Sequence, residues 1–181
     1  RGFEIGPTHP LAGEVARLIK EFSGQERVAF SNTGSESLMA AIRVARTVTG
    51  RDKIVMFAGA YHGIFDEVLA RPLVVNGELR SIPIAPGIPE QAQANLIVLE
   101  YGHLESLEII RRHGHEIAAV LVEPVPSRRP DIAPVEFVQE LRRLTALTET
   151  ALVFDEVVLG WRTCPQGAQK LFGIDADLVA Y

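Results

Sequence analysis

Leu11, Val15, Leu18, Ile19 and Phe22 recur at three- and four-residue intervals, with Glu14, Arg17, Lys20 and Glu21 between them. That spacing predicts an amphipathic helix, and Gly24 supplies its stop. Beyond it the pattern changes. Val28–Phe30, Ile54–Phe57, Leu96–Leu99, Ile117–Val122 and Ala151–Phe154 are short, wholly apolar runs of strand length. Between them, helical patterning covers about Ser35 to Val48, Leu104 to His113, and Pro134 to Thr145, the last with proline in its first turn. The stretch from Arg71 to Gln93 is rich in proline and glycine and reads as a long loop with one minor strand at most. Asp177–Tyr181 reads as a further strand.

Apolar strands alternating with helices imply βαβ crossovers and an α/β fold, its mostly parallel sheet covered by helices on both faces. Residues 1–25 form an N-terminal helical segment in this reading, and 26–181 belong to one larger domain. Such sheets place ligands beyond the carboxyl ends of their strands. The informative residues should therefore follow the apolar runs.

Four groups do. Ser31-Asn32-Thr33-Gly34-Ser35-Glu36-Ser37 lies between a strand and a helix. Small residues at a helix start suit an anion, because backbone N–H groups and the helix dipole point at it. The same residues also suit a ligand-free N-cap turn. Ala60-Tyr61-His62-Gly63 sets an aromatic beside a glycine after Phe57, either as a plate for a planar ligand or as an ordinary half-buried tyrosine. Asp155 directly follows a buried run, so it needs a cation or donors. A pyridinium N–H would serve, as would backbone amides or an arginine such as Arg162. Glu123, after Ile117–Val122, either faces substrate or caps the sheet.

Composition narrows the class. The chain has 181 residues, 47% of them hydrophobic, with a net charge of −5, so no basic field attracts nucleic acid or acidic lipid. Cys164 is a lone cysteine, which excludes an intrachain disulfide and suits a reducing, cytoplasmic setting. Arg1 stands where an initiator methionine would, and the chain stops inside an apolar run, so it reads as an excised fragment. His113 and His115 lack the further ligands of a metal site and read as a solvated turn.

Asn32-Thr33-Gly34-Ser35-Glu36-Ser37, Tyr61-His62-Gly63, Val122-Glu123-Pro124-Val125 and Asp155-Glu156-Val157-Val158-Leu159-Gly160-Trp161-Arg162 resemble, in that order, the motifs of class III aminotransferases. These are fold-type-I pyridoxal-phosphate enzymes, a group that includes the glutamate-1-semialdehyde aminomutases. A narrower likeness lies in Phe3–Pro7, Pro10–Ala16, Pro83–Pro89 and Glu123–Asp131. These segments are similar to aminotransferase domains inside hybrid polyketide–nonribosomal peptide synthetases of microcystin and mycosubtilin type, in which a β-keto acyl thioester on a carrier protein receives the amino group.

The resemblance implies pyridoxal 5'-phosphate as cofactor, with Gly34 and Ser35 on its phosphate, Tyr61 against its ring, His62 beside Tyr61, Asp155 on the ring nitrogen and Val157 on the other ring face. It implies a substrate-side role for Glu123. Arg128 and Arg129, which follow a strand end, are expected to contact a carrier-borne phosphopantetheine phosphate. A homodimer, a small amino donor and a carrier-tethered acyl substrate are the partners the resemblance implies. Lys20, Lys53 and Lys170 do not match the position of the family's Schiff-base lysine, which would follow Tyr181. A free-standing class III enzyme or aminomutase, and a noncatalytic phosphate-binding α/β module, are the competing expectations.

Overall fold

The computed structural model describes residues 9–181, so the Phe3–Pro7 segment lies outside it. The first helix, α1 (Pro10–Ser23), begins on proline, with the His9 ring accepting the Leu11 N–H at 3.1 Å. It ends on Gly24, whose left-handed φ of 77° lets its N–H reach the Lys20 carbonyl. Leu11, Val15, Leu18 and Phe22 stay exposed along it.

The core is a five-stranded, all-parallel sheet in the order β4-β1-β5-β6-β7, with β1 Lys53–Phe57, β4 Leu96–Leu99, β5 Ile117–Val122, β6 Ala151–Asp155 and β7 Leu178–Ala180. Helix α2 (Gly34–Thr49) covers one face, burying Leu38, Ile42 and Ala45 against Ile54, Met56, Leu121 and Val153. Helices α3 (Leu104–His113), α4 (Val135–Thr148) and α5 (Gly167–Phe172) cover the other. Their Ile110, Leu141 and Phe172 pack on Val55, Val120, Leu152 and Phe154. Alternate residues of the strands thus feed opposite cores, as a strand's two-residue period requires, except at Ala118 and Ala119 of β5, which share one core where the β1–β5 register shifts. Both faces being dry, the strands can be continuously apolar.

Two expectations fail locally. Val28–Phe30 is not a strand, and Phe30 is exposed. Three apolar residues carry too little pattern to specify a strand, and no sheet neighbour pairs with them. The supposed loop at 71–93 holds an antiparallel hairpin instead, β2 (Ala70–Val75) and β3 (Glu78–Pro83), turning at Asn76-Gly77. Both turn residues have positive φ, 53° and 82°, the signature of a two-residue hairpin turn that Asn-Gly encodes. This hairpin lies against β4. The Ser81 hydroxyl donates to the Leu96 carbonyl at 2.7 Å and accepts the Val98 N–H at 3.1 Å, two of the outward-facing backbone groups of that edge strand.

Candidate active site

The carboxyl ends of β1, β5 and β6 and the start of α2 converge. At α2, the Thr33 hydroxyl accepts the Glu36 N–H at 3.2 Å while the Glu36 carboxylate reaches back to the Asn32 N–H at 2.7 Å. This reciprocal cap fixes the turn before Gly34 and leaves the first helical N–H groups pointing outward. A β-carbon on Gly34 would lie 2.9 Å from a Val157 methyl, so only glycine lets α2 begin this close to the segment after β6. Gly63, at φ 105°, is pressed against the Ser35 backbone and hydroxyl, and the Ser35 oxygen accepts the Ile64 N–H at 3.2 Å. Gly34, Ser35, Tyr61, His62, Asp155 and Val157 are thereby gathered at one edge of the sheet.

Asp155 closes β6 with its side chain 5% exposed. One oxygen takes the His62 Nδ1 at 2.7 Å and the other accepts the Val157 N–H at 3.2 Å. The His62 side chain is fully buried. Its Nδ1 faces the carboxylate, while Nε2 is buried with no partner among the described residues. His62 therefore contacts the acid rather than standing beside the tyrosine as a ring neighbour. A histidine next to an exposed aromatic gave no sequence signal of that cross-sheet pairing.

Tyr61 is 42% exposed and Val157 39%, so both present apolar surface around the buried carboxylate. Glu123 departs from the expected substrate-facing role. It is buried, and its two oxygens accept the N–H groups of Tyr61 at 3.0 Å and Ser127 at 3.1 Å. A carboxylate engaged by two backbone amides on separate loops acts as a staple. Beneath it the Tyr101 hydroxyl donates to the Pro124 carbonyl at 2.8 Å, and burial, then the nearby Glu123 charge, pushes that phenol's pKa up. Arg128 is exposed, its guanidinium 5.3 Å from the centre of the Tyr61 ring, whereas Arg129 is tied to Asp131 at 2.8 Å.

No local pattern in the sequence marks Glu156 for a role of its own. It is fully buried behind Asp155 and anchors the start of α5, accepting the Ala168 N–H at 2.8 Å through one oxygen while the other has no partner. Burial raises its pKa, opposed by its backbone hydrogen bonds and helped by the charge of Asp155. A β-carbon at Gly167 would overlap this carboxyl, so the glycine is required there. Tyr181 stacks on Trp161 at 4.5 Å, and burial and Glu156 push its phenol up to about 12. Trp161 holds a left-handed φ of 58°, strained for a bulky residue, in the turn that follows the site. Lys53 lies at the opposite edge of the sheet, paired with Glu116. No helix among the described residues is long and apolar enough to cross a membrane.

A family model described as aminotransferase class-III matches residues 3–181. The chain is 43% identical over 181 residues to a glutamate-1-semialdehyde 2,1-aminomutase from Methanopyrus kandleri, an alignment covering 98% of this chain and 42% of that protein. Among solved structures, an omega-transaminase from Sphaerobacter thermophilus superposes with a TM-score of 0.89 at 31% identity, covering 97% of this chain and 42% of its own. A transaminase with PLP bound gives 0.87 at 35% identity, covering 98% and 42%. The chain spans about two-fifths of the length of the relatives it matches.

Proposed function

Because the chain belongs to the class-III aminotransferase family, we propose that it forms the cofactor-holding part of an enzyme that moves an amino group between an amine and a carbonyl carbon with pyridoxal 5'-phosphate. When bound, the cofactor supplies an electron sink for the charge released as a C–H bond beside nitrogen breaks. The residues present fit it. Asp155 retains acceptor capacity on each oxygen, sits where water is largely excluded, and would hold a ring nitrogen protonated. His62 orients that carboxylate through Nδ1. The Gly34 and Ser35 amides, at a helix start kept free of side-chain bulk, would take the phosphate. Tyr61 and Val157 would bracket the ring.

The proton-shuttling amine is not Lys20, Lys53 or Lys170. A lysine beyond Tyr181 would supply it.

The observation that carries the proposal is the buried Asp155–His62 pair opening beside the Gly34–Val157 contact. Substituting Asp155→Asn should weaken pyridoxal-phosphate binding by roughly 100-fold by calorimetry, equivalent to about 2.7 kcal/mol. Unchanged affinity in a folded Asp155→Asn variant would sink it.

For the reaction itself, the order of the two enzyme readings reverses. The aminomutase name of the relatives supports an aminomutase-like internal shift ahead of transfer to a carrier-tethered β-keto thioester. The Glu123–Asp131 segment supports the second. Labelled nitrogen separates them. An aminomutase keeps nitrogen within the substrate pool without an outside donor, whereas the assembly-line enzyme needs both a small amino donor and a carrier protein. A homodimer completes the proposal, supported by the uncovered apolar stripe of α1 and checked by sedimentation.

A further inference from the structure

Resting on the pyridoxal-phosphate reading, we propose that Arg128 is the anion-recognising residue of this site. It selects substrates whose chain carries a carboxylate or a phosphate beyond the reacting nitrogen.

Three observations converge. Arg128 lies over Tyr61, the aromatic that faces the cofactor position, with 5.3 Å between guanidinium carbon and ring centre. Its placement there is built rather than incidental. The buried Glu123 carboxylate holds the amide of Tyr61 with one oxygen and that of Ser127, the residue before Arg128, with the other. A turn closed by the Arg129 N–H on the Pro126 carbonyl at 2.9 Å then puts Arg128 at its third position, and the Tyr101 hydroxyl pins Pro124 just upstream. The two loops cannot drift apart without leaving a buried carboxylate unpaired.

Third, Arg128 makes no hydrogen bond or ion pair among the described residues, while its neighbour Arg129 is held by both oxygens of Asp131. A cation–π contact with an aromatic face leaves a guanidinium's N–H fork available. In a chain of net charge −5, an unpaired cation fixed at the mouth of a buried site is suited to a planar anion such as a carboxylate, or to a phosphate, both of which the fork can grip with two bonds.

The test uses stable secondary-amine adducts of the cofactor, which need no lysine. Phosphopyridoxyl-β-alanine carries a carboxylate, phosphopyridoxyl-propylamine is its neutral counterpart, and phosphopyridoxyl-ethanolamine phosphate carries a phosphate monoester. Each is titrated calorimetrically into the full chain. The carboxylate or the phosphate adduct should bind about tenfold or more tightly than the neutral one, and whichever does identifies the anion. Arg128→Ala should collapse that ratio to near one, Arg128→Lys should keep part of it, and Arg129→Ala should keep all of it. If the adducts bind but the ratio is one in the unsubstituted chain, or survives Arg128→Ala, the cofactor reading stands and the Arg128 proposal is overturned. If no adduct binds, both fall. Far-ultraviolet circular dichroism establishes that each variant is folded.

Discussion

At the amino ends of the strands, Arg51 places one guanidinium nitrogen against the carbonyls of Gly114, Ile117 and Thr148 at 2.9, 3.2 and 2.8 Å, while Lys53 pairs with Glu116. There Asp177 also accepts the Leu152 N–H at 2.7 Å and a bond from Arg142 at 2.8 Å. At the carboxyl ends, by contrast, His62 Nε2 is buried without a partner, Tyr61 and Val157 are partly exposed, and Arg128 is unpaired among the described residues. One edge closes nearly all of its own hydrogen bonds, Gln93 Oε1 before β4 being the exception. The other leaves them open, at a cost in stability that a ligand can repay. The contrast separates residues whose polar groups are satisfied within the fold from residues whose polar groups are left open.

The strongest way to break this contrast is at the closed edge. Replacing Arg51 with alanine strips several buried carbonyls of a charged donor and should cost roughly 3 kcal/mol in denaturant unfolding. The cofactor affinity of the folded fraction should be untouched. A loss of affinity matching the loss of stability would show that the two edges are not separable.

A smaller effect probes the open edge. Gly34→Ala should change stability by less than about 1 kcal/mol, because the helix-propensity gain offsets crowding against Val157. Pyridoxal-phosphate affinity should nonetheless fall by roughly tenfold as the methyl displaces Val157.

The smallest effect is one of sign with pH. Glu156 has its pKa raised by burial, so the folded state binds its proton more tightly than the unfolded chain. Its contribution is present at acid pH and lost as pH rises above the ordinary carboxylate range. Glu156→Gln should flatten that decline. Glu116 is the opposite case, its pKa lowered first by its hydrogen bond from Lys53, so its contribution is lost as pH falls. Lys53→Met should remove that acid-side loss. Stability profiles from pH 3 to 8, a range of about five units chosen to bracket the carboxylates, read both slopes.

Much of this was legible beforehand because periodicity and burial agree. Leu96–Leu99, Leu104–His113 and Ile117–Val122 have the bounds that the pattern predicts, since a strand buried on both faces announces itself as an unbroken apolar run. The hairpin was missed because its strands are half-exposed and interrupted by Pro72 and Arg80, although Asn76-Gly77 carried the turn signal. At the site, Gly34, Ser35, Tyr61 and Asp155 were readable as small, aromatic and acidic residues at strand and helix ends. The role of Glu123 was not. Whether a carboxylate faces solvent or bridges two loops depends on backbone amides contributed from positions 62 residues before it and 4 after it. No local pattern encodes such a meeting.

Ser81 carries a last consequence. By engaging the outward carbonyl of Leu96 and the outward amide of Val98, a single hydroxyl occupies two of the backbone groups that a neighbouring strand would pair along β4. That rim of the sheet is thereby blunted against templated pairing with another chain, the route by which open β-edges seed fibrils. The hairpin that delivers Ser81 thus serves as a guard against misassembly, set on the far flank of the sheet from β7.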